Sequence, residues 1–398
     1  MINPSAPSWV EKFFTEQNDK NQTVINNYEQ FYENTRATGF LVGYTTHFVT
    51  SKNIETKGLT NEELLKIALL NTLFGVYQLV KKNRNHSEFI YQCSTFYKNL
   101  HPKESSLLEK ILPQDSYSSK LEKIINSRIQ TNENIISKNF SNILTNALLF
   151  IDVLAFRKYL DEGNIPDKYL KKTEEIIVNI VSLALKTKEV KTKYDDLLQK
   201  LFESSVRYTK FNKLQIVSLD NLDLSYFNHD YEKYYLIDLA GMAMWNDAKI
   251  EKSEKNFLFQ LAKKLAISNS FLEKSISEMN VFLTTNKTKI QHFNYSNPVK
   301  HFYDQTTQNV QTLISRNKNR LVVEISQSKE LMKLLSQSTK RELNPDEKKK
   351  VRNQLLDILK TIPSLTIFLV PGGSLLLPIL IKFIPQLLPS AFNENLEK

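Results

Sequence analysis

The chain has 398 residues, a formal net charge of +10 and only 8 glycines, about 2% where roughly 7% is usual. Glycine-rich nucleotide loops and parallel α/β sheets are therefore disfavoured, and 41% hydrophobic residues argue against a disordered chain. The single cysteine, Cys93, excludes an intrachain disulfide framework and a cysteine-rich metal site, and fits a reducing compartment.

The N-terminus has no basic n-region, and Glu11 and Lys12 interrupt any apolar run, so no secretory signal peptide is expected. Residues 1–224 read as successive helices, predicted as one helical domain. Thr60 and Glu63 have capping-box spacing. The helix behind them carries Leu64, Ile67, Leu70, Leu73, Phe74, Tyr77 and Val80, apolar on nearly all sides, as a buried helix is. Its charge-free run, Ile67 to Val80, is too short to span a bilayer. The apolar run from Ile143 to Leu154 is interrupted by Asp152. Glu174 to Leu185 is amphipathic, with Ile176, Ile177, Ile180, Val181 and Leu185 on one side. Aromatic pairs such as Phe31-Tyr32 and Phe96-Tyr97 read as core, with a nucleic-acid stacking platform as the alternative.

Residues 225–285 form a second helical unit. Leu236, Leu239, Ala240 and Ala243 mark its first helix, and Phe257, Leu258, Leu261 and Ala262 its second. Ser268 is placed to cap a third. The stretch from Leu239 to Glu254, with an apolar helix, an Asp247-Ala-Lys-Ile250 turn and Glu254 opening the next helix, resembles TerB-like domains of the tellurite-resistance family. Ala248 stands where those domains usually have glycine. The resemblance implies Asp247, Glu251 and Glu254 as oxygen ligands for a metal. The plainer reading of Glu251 and Glu254 is stabilisation of a helix N-terminus.

Residues 286–345 read as a polar linker followed by a basic helix over Arg320 to Ser336. Between Gln311 and Lys360, 12 Lys/Arg face 6 Asp/Glu, so over half the excess charge lies there. Asn344, Pro345, Asp346 and Glu347 make a sharp helix start. That helix has an apolar stripe of Val351, Leu355, Ile358, Leu359 and Ile362, and an outer face with Lys348, Lys349, Lys350 and Arg352. Residues 346–398 form the last unit. Thr361 to Ile381 carries no charge over 21 residues, long enough for one membrane span. Pro363, Pro371, Pro378, Pro385 and Pro389 fall in or just after it, and Gly372-Gly373 sits at its centre. Such residues break a helix, so a bent hairpin is expected more than a plain anchor. It is expected to insert into the membrane, to lie in the interface, or to pack as a soluble hairpin.

The order Ile362-Pro363, Val370-Pro371, Leu376-Leu377-Pro378, Lys382, Ile384-Pro385 and Leu387-Leu388-Pro389-Ser390, with Phe392, resembles the membrane segment of the LETM family, the leucine-zipper/EF-hand-containing transmembrane proteins. Together with the TerB-like unit it resembles bacterial LETM-related proteins called biofilm-associated. The resemblance implies an inner-membrane protein tied to cation/proton exchange, potassium homeostasis or membrane protein biogenesis. Ser374 stands where the family usually has an acidic residue, and a membrane carboxylate is what exchange would use. The family's ribosome-binding domain is expected beyond this segment, where only nine residues follow Pro389.

These readings predict an all-α, non-catalytic protein of the bacterial inner membrane, with the bulk of the chain cytoplasmic by the positive-inside rule. Ion homeostasis, envelope function or a biofilm-related process is its expected role. Pro363, Pro371, Gly372, Gly373, Ser374, Pro378, Lys382, Pro385 and Pro389 would shape the hairpin, with Lys382 reaching the interface. Lys348, Lys349, Lys350 and Arg352 would meet anionic lipid or the ribosome. The alternatives are an oligomeric cation/proton exchanger and a soluble ribosome- or RNA-associated protein. Membrane lipids, a homo-oligomer and the ribosome are the expected partners. No cofactor and no DNA partner is expected, and no nucleotide loop or hydrolase motif occurs.

Overall fold

The computed structural model describes residues 2–17, 27–43, 45–48, 54–100, 116–129, 146, 148–164, 168–188, 218–244, 252–286, 307–308, 310–362, 365, 381 and 384. All regular structure among them is helical, as the sequence predicts. The helices are α1 (Trp9–Gln17), α2 (Tyr28–Thr38), α3 (Asn61–Lys81), α4 (His86–Leu100), α5 (Tyr117–Ile129), α6 (Phe150–Glu162) and α7 (Tyr169–Lys186). They continue with α8 (Asp230–Met244), α9 (Lys252–Lys264), α10 (Asn269–Asn286), α11 (Lys318–Ser326), α12 (Lys329–Lys340) and α13 (Pro345–Thr361).

Helix α3 is the axis of the first body. Thr60 Oγ1 accepts from Glu63 N at 3.3 Å and Glu63 Oε2 accepts from Thr60 N at 2.9 Å, so the expected capping box forms. Length and composition alone would let α3 cross a bilayer, yet 78% of its apolar window is buried in protein. It packs on α5 and α6, while α8 packs on α2, α7, α9 and α10. One hydrophobic core runs from Ile2 to Leu283, across the expected boundary at 224/225.

The aromatics fill this core. Ring centroids step from Phe14 to Phe74 at 5.0 Å, to Phe89 at 5.1 Å and to Phe156 at 6.2 Å. Phe31, Tyr32, Phe96 and Tyr97 are all buried, so the stacking-platform alternative fails at these positions.

Three buried carboxylates in the body each gather several hydrogen-bond donors. Asp238 of α8 accepts from Tyr32 Oη at 2.5 Å, from Ser275 Oγ, and from Arg36 Nη1 at 3.4 Å. Burial pushes its pKa above the ordinary carboxylate value, against the pull of Arg36, Ser275 and Tyr32. Glu232, at the start of α8, accepts from Tyr169 Oη at 2.6 Å and from the backbone N–H groups of Asn228 and His229 at 3.0 Å each. Glu122 of α5 accepts from Ser8 N at 3.1 Å and Val10 N at 3.0 Å, serving as a remote cap for α1. An ionised group deep in a core is costly unless paired and hydrogen-bonded, which accounts for these clusters.

A second, separate core joins Val310, Leu313 and Ile314 to α11, α12 and α13. The single basic helix expected over Arg320 to Ser336 is two helices. Ser328 takes extended backbone, with ψ 96°, and its Oγ accepts from Leu331 N at 3.2 Å, so a new helix begins there. Leu321 and Ile325 on one side of the break, and Leu331 and Leu335 on the other, all reach the core.

Candidate functional site

The site is the surface of α13 above the second core. Asn344 has extended backbone and its Oδ1 accepts from Glu347 N at 2.9 Å, while Glu347 Oε2 accepts from Asn344 N at 2.9 Å. With Pro345 in the first turn, this is the helix start the sequence predicts. Val351, Leu355 and Leu359 point into the core, and Ile362 closes the stripe behind them. That orientation forces Lys348, Lys349, Lys350 and Arg352 to the exposed side.

The four cations are not equivalent. Lys348 Nζ lies 2.6 Å from Glu342 and Lys350 Nζ 2.9 Å from Glu330. Arg341 grips Glu347 through both terminal nitrogens, at 2.8 Å and 2.6 Å. That grip, with the Asn344 N–H, pulls the Glu347 pKa down to about 2. Lys349 and Arg352 have no ion-pair partner among the described residues, so they offer their charge outward.

Leu365 and Ile384 lie on either side of Gly372-Gly373 and are both fully buried in the second core. Pro363, Pro371, Gly372, Gly373, Ser374, Pro378, Lys382, Pro385 and Pro389 lie outside the described residues. So do Asp247 and Glu251. Glu254, the third expected metal ligand, is buried near the start of α9. Among the described residues no cluster of three His, Cys, Asp or Glu side chains is arranged to hold a metal. The three helices α8, α9 and α10 pack on one another, and Ser268 Oγ accepts from Phe271 N at 3.2 Å, as expected for the cap.

The sequence reading missed Arg316. Its side chain reaches from the second body to Glu63 of the first, at 2.7 and 2.8 Å. Burial would raise the Glu63 pKa, but hydrogen bonds and charge from Arg316, with the Thr60 N–H and the Ser5 hydroxyl, hold it below its ordinary value. Nothing local in the sequence marks this contact, which spans 253 residues.

Residues 343–398 match the family model described as LETM1-like, RBD. The C-terminal segment of this chain is therefore LETM1-like, in agreement with the order of prolines and lysine from Ile362 to Phe392. The sequence reading places the family's ribosome-binding portion beyond this segment, whereas the model carrying the RBD description matches the segment itself. Comparison with curated proteins and with solved structures finds no match.

Proposed function

We propose that this chain is a non-catalytic, membrane-associated protein of the bacterial inner membrane, with its helical body on the cytoplasmic side. Its LETM1-like unit would make the attachment. The observation that carries this reading is the LETM1-like match at 343–398, which covers both the outward-facing Lys349 and Arg352 and the charge-free segment that follows them. Basic residues beside an apolar element favour a surface bearing anionic headgroups. Leu365 and Ile384, which bracket Gly372-Gly373 in the sequence, are both buried in the core that α11–α13 form. That supports a C-terminal unit joined to α11–α13 at both of these positions. A TerB-like character for α8–α10, and a role in ion homeostasis, envelope function or biofilm formation, belong to the same reading.

The test is membrane fractionation with a carbonate wash, comparing the full chain with one ending at Lys360. Retention of the full chain and release of the truncated one is the expected result. Release of both would end the membrane reading.

A second reading, association with the ribosome, is favoured by the RBD description of the matched model. It predicts co-sedimentation with ribosomes that weakens steeply with salt and fails on charge reversal at Lys349 and Arg352.

A further inference from the structure

Two cores stand side by side in this chain, and their extensive helix contacts stay within one or the other. Between them lies a contact of high definition. Arg316 Nη1 donates to Glu63 Oε2 at 2.8 Å and to the Gly58 carbonyl at 3.2 Å, while Nη2 donates to Glu63 Oε1 at 2.7 Å. Glu63 is 1% exposed, and the Arg316 side chain 16%.

We propose that Arg316 and Glu63 form a latch that docks the α11–α13 unit onto the N-terminal body, and that opening it frees that unit as a tethered module.

Three features support a latch over a permanent weld. First, the socket is held by its own body. Glu63 accepts from Thr60 N at 2.9 Å and from Ser5 Oγ at 2.7 Å without help from Arg316. The carboxylate therefore keeps its position and partners when the unit departs. Second, a bidentate arginine–carboxylate pair is directional, so it fixes one docked orientation. Third, apolar burial is divided between two cores, so opening leaves both intact. Polar interfaces between bodies of one chain are those that allow relative motion. Once free, Arg316 adds its charge to that of the exposed Lys318 and Arg320. The latch therefore also controls how much positive charge the unit presents. It does not depend on which surface the unit meets.

The test uses the full chain with dyes at Tyr91→Cys on the body and Val323→Cys on the unit, both exposed positions. The native Cys93 is buried and stays unlabelled. Glu63→Gln removes the charge yet suits the third helical position of a capping box. The wild type should give one narrow distance by single-molecule energy transfer. Glu63→Gln should add a longer, broader population of at least a fifth of molecules, with helical content unchanged. Arg316→Gln, on the other body, should do the same and decides the matter if Glu63→Gln loses helicity. The double variant should open no further than the wider of the single ones, since both remove one contact. A single narrow distance in Arg316→Gln, or fully additive opening in the double variant, overturns the proposal.

Discussion

Asp152 accepts hydrogen bonds from the Nε of Arg128 at 2.7 Å and from its Nη2, at a point where the carboxylate is wholly shielded from solvent. Tyr97 Oη donates to the same carboxylate at 3.0 Å. The interruption that Asp152 makes in an apolar run is thus the acceptor that joins α4, α5 and α6. Asp152→Ala would take this buried acceptor away from both Arg128, whose side chain is only 10% exposed, and the Tyr97 hydroxyl. Loss of one partner from a buried pair costs about 3–5 kcal/mol. Denaturant unfolding at neutral pH should show that loss for Asp152→Ala. The double change Asp152→Leu with Arg128→Met should cost clearly less, because no buried charge remains. Equal losses would show that shape, not charge, dominates there.

Two glycines in helices should respond in opposite directions. A Cβ at Gly75 of α3 would come within 2.7 Å of Phe31 Cε2, and that ring is itself buried in the core. Gly75→Ala should destabilise by about 1–3 kcal/mol through overpacking. A Cβ at Gly241 of α8 meets nothing within 4 Å. Gly241→Ala should stabilise by about 0.5–1 kcal/mol, the helix propensity difference. Thermal and denaturant melts of the two variants check both signs.

Local features were legible in the sequence because they depend on neighbours a few residues apart. The Thr60–Glu63 and Asn344–Glu347 boxes, the Ser268 cap and the Val351–Leu355–Leu359 stripe all fall in that class. What stayed hidden depends on distance along the chain. Glu63 reads as a cap and nothing more until Arg316 arrives from 253 residues away. Asp238 reads as one acid among 43, yet it collects Tyr32, Arg36 and Ser275. The break at Ser328 was missed for a different reason. Apolar residues continue at helical spacing across it, so periodicity alone shows one helix where Ser328 starts a second.

Stability should fall on mild acidification, and His229 is one source. Burial lowers its pKa from 6.5, and the Arg157 charge adds to that effect. The unfolded chain therefore takes up a proton near pH 6.5, while the folded chain takes it up only at lower pH. The contribution of a neutral His229 is complete above 6.5 and is lost as pH falls from there towards the folded value. Denaturant midpoints measured from pH 8 to pH 5 should decline for the wild type. His229→Gln, which cannot titrate, should show a shallower decline over the same window. Parallel curves would assign the acid sensitivity to other groups.

Lys349 and Arg352 have outward charge and no ion-pair partner among the described residues, so they should carry the electrostatic part of any association with an anionic membrane. Each basic residue near such a surface contributes about 1 kcal/mol, which is roughly a fivefold change in binding. Lys349→Ala and Arg352→Ala should each weaken partition of the full chain onto phosphatidylserine-containing vesicles by about that factor, and together by about twenty-five-fold. The effect should shrink as salt rises, since screening shortens the reach of surface charge. Vesicles of neutral lipid should not distinguish the variants from the wild type. Deletion of residues 361–398 should instead reduce binding to both kinds of vesicle, because the apolar contribution does not depend on headgroup charge. If the two substitutions leave anionic binding unchanged while the deletion abolishes it, attachment rests on the apolar segment alone. The basic face of α13 would then serve a different partner.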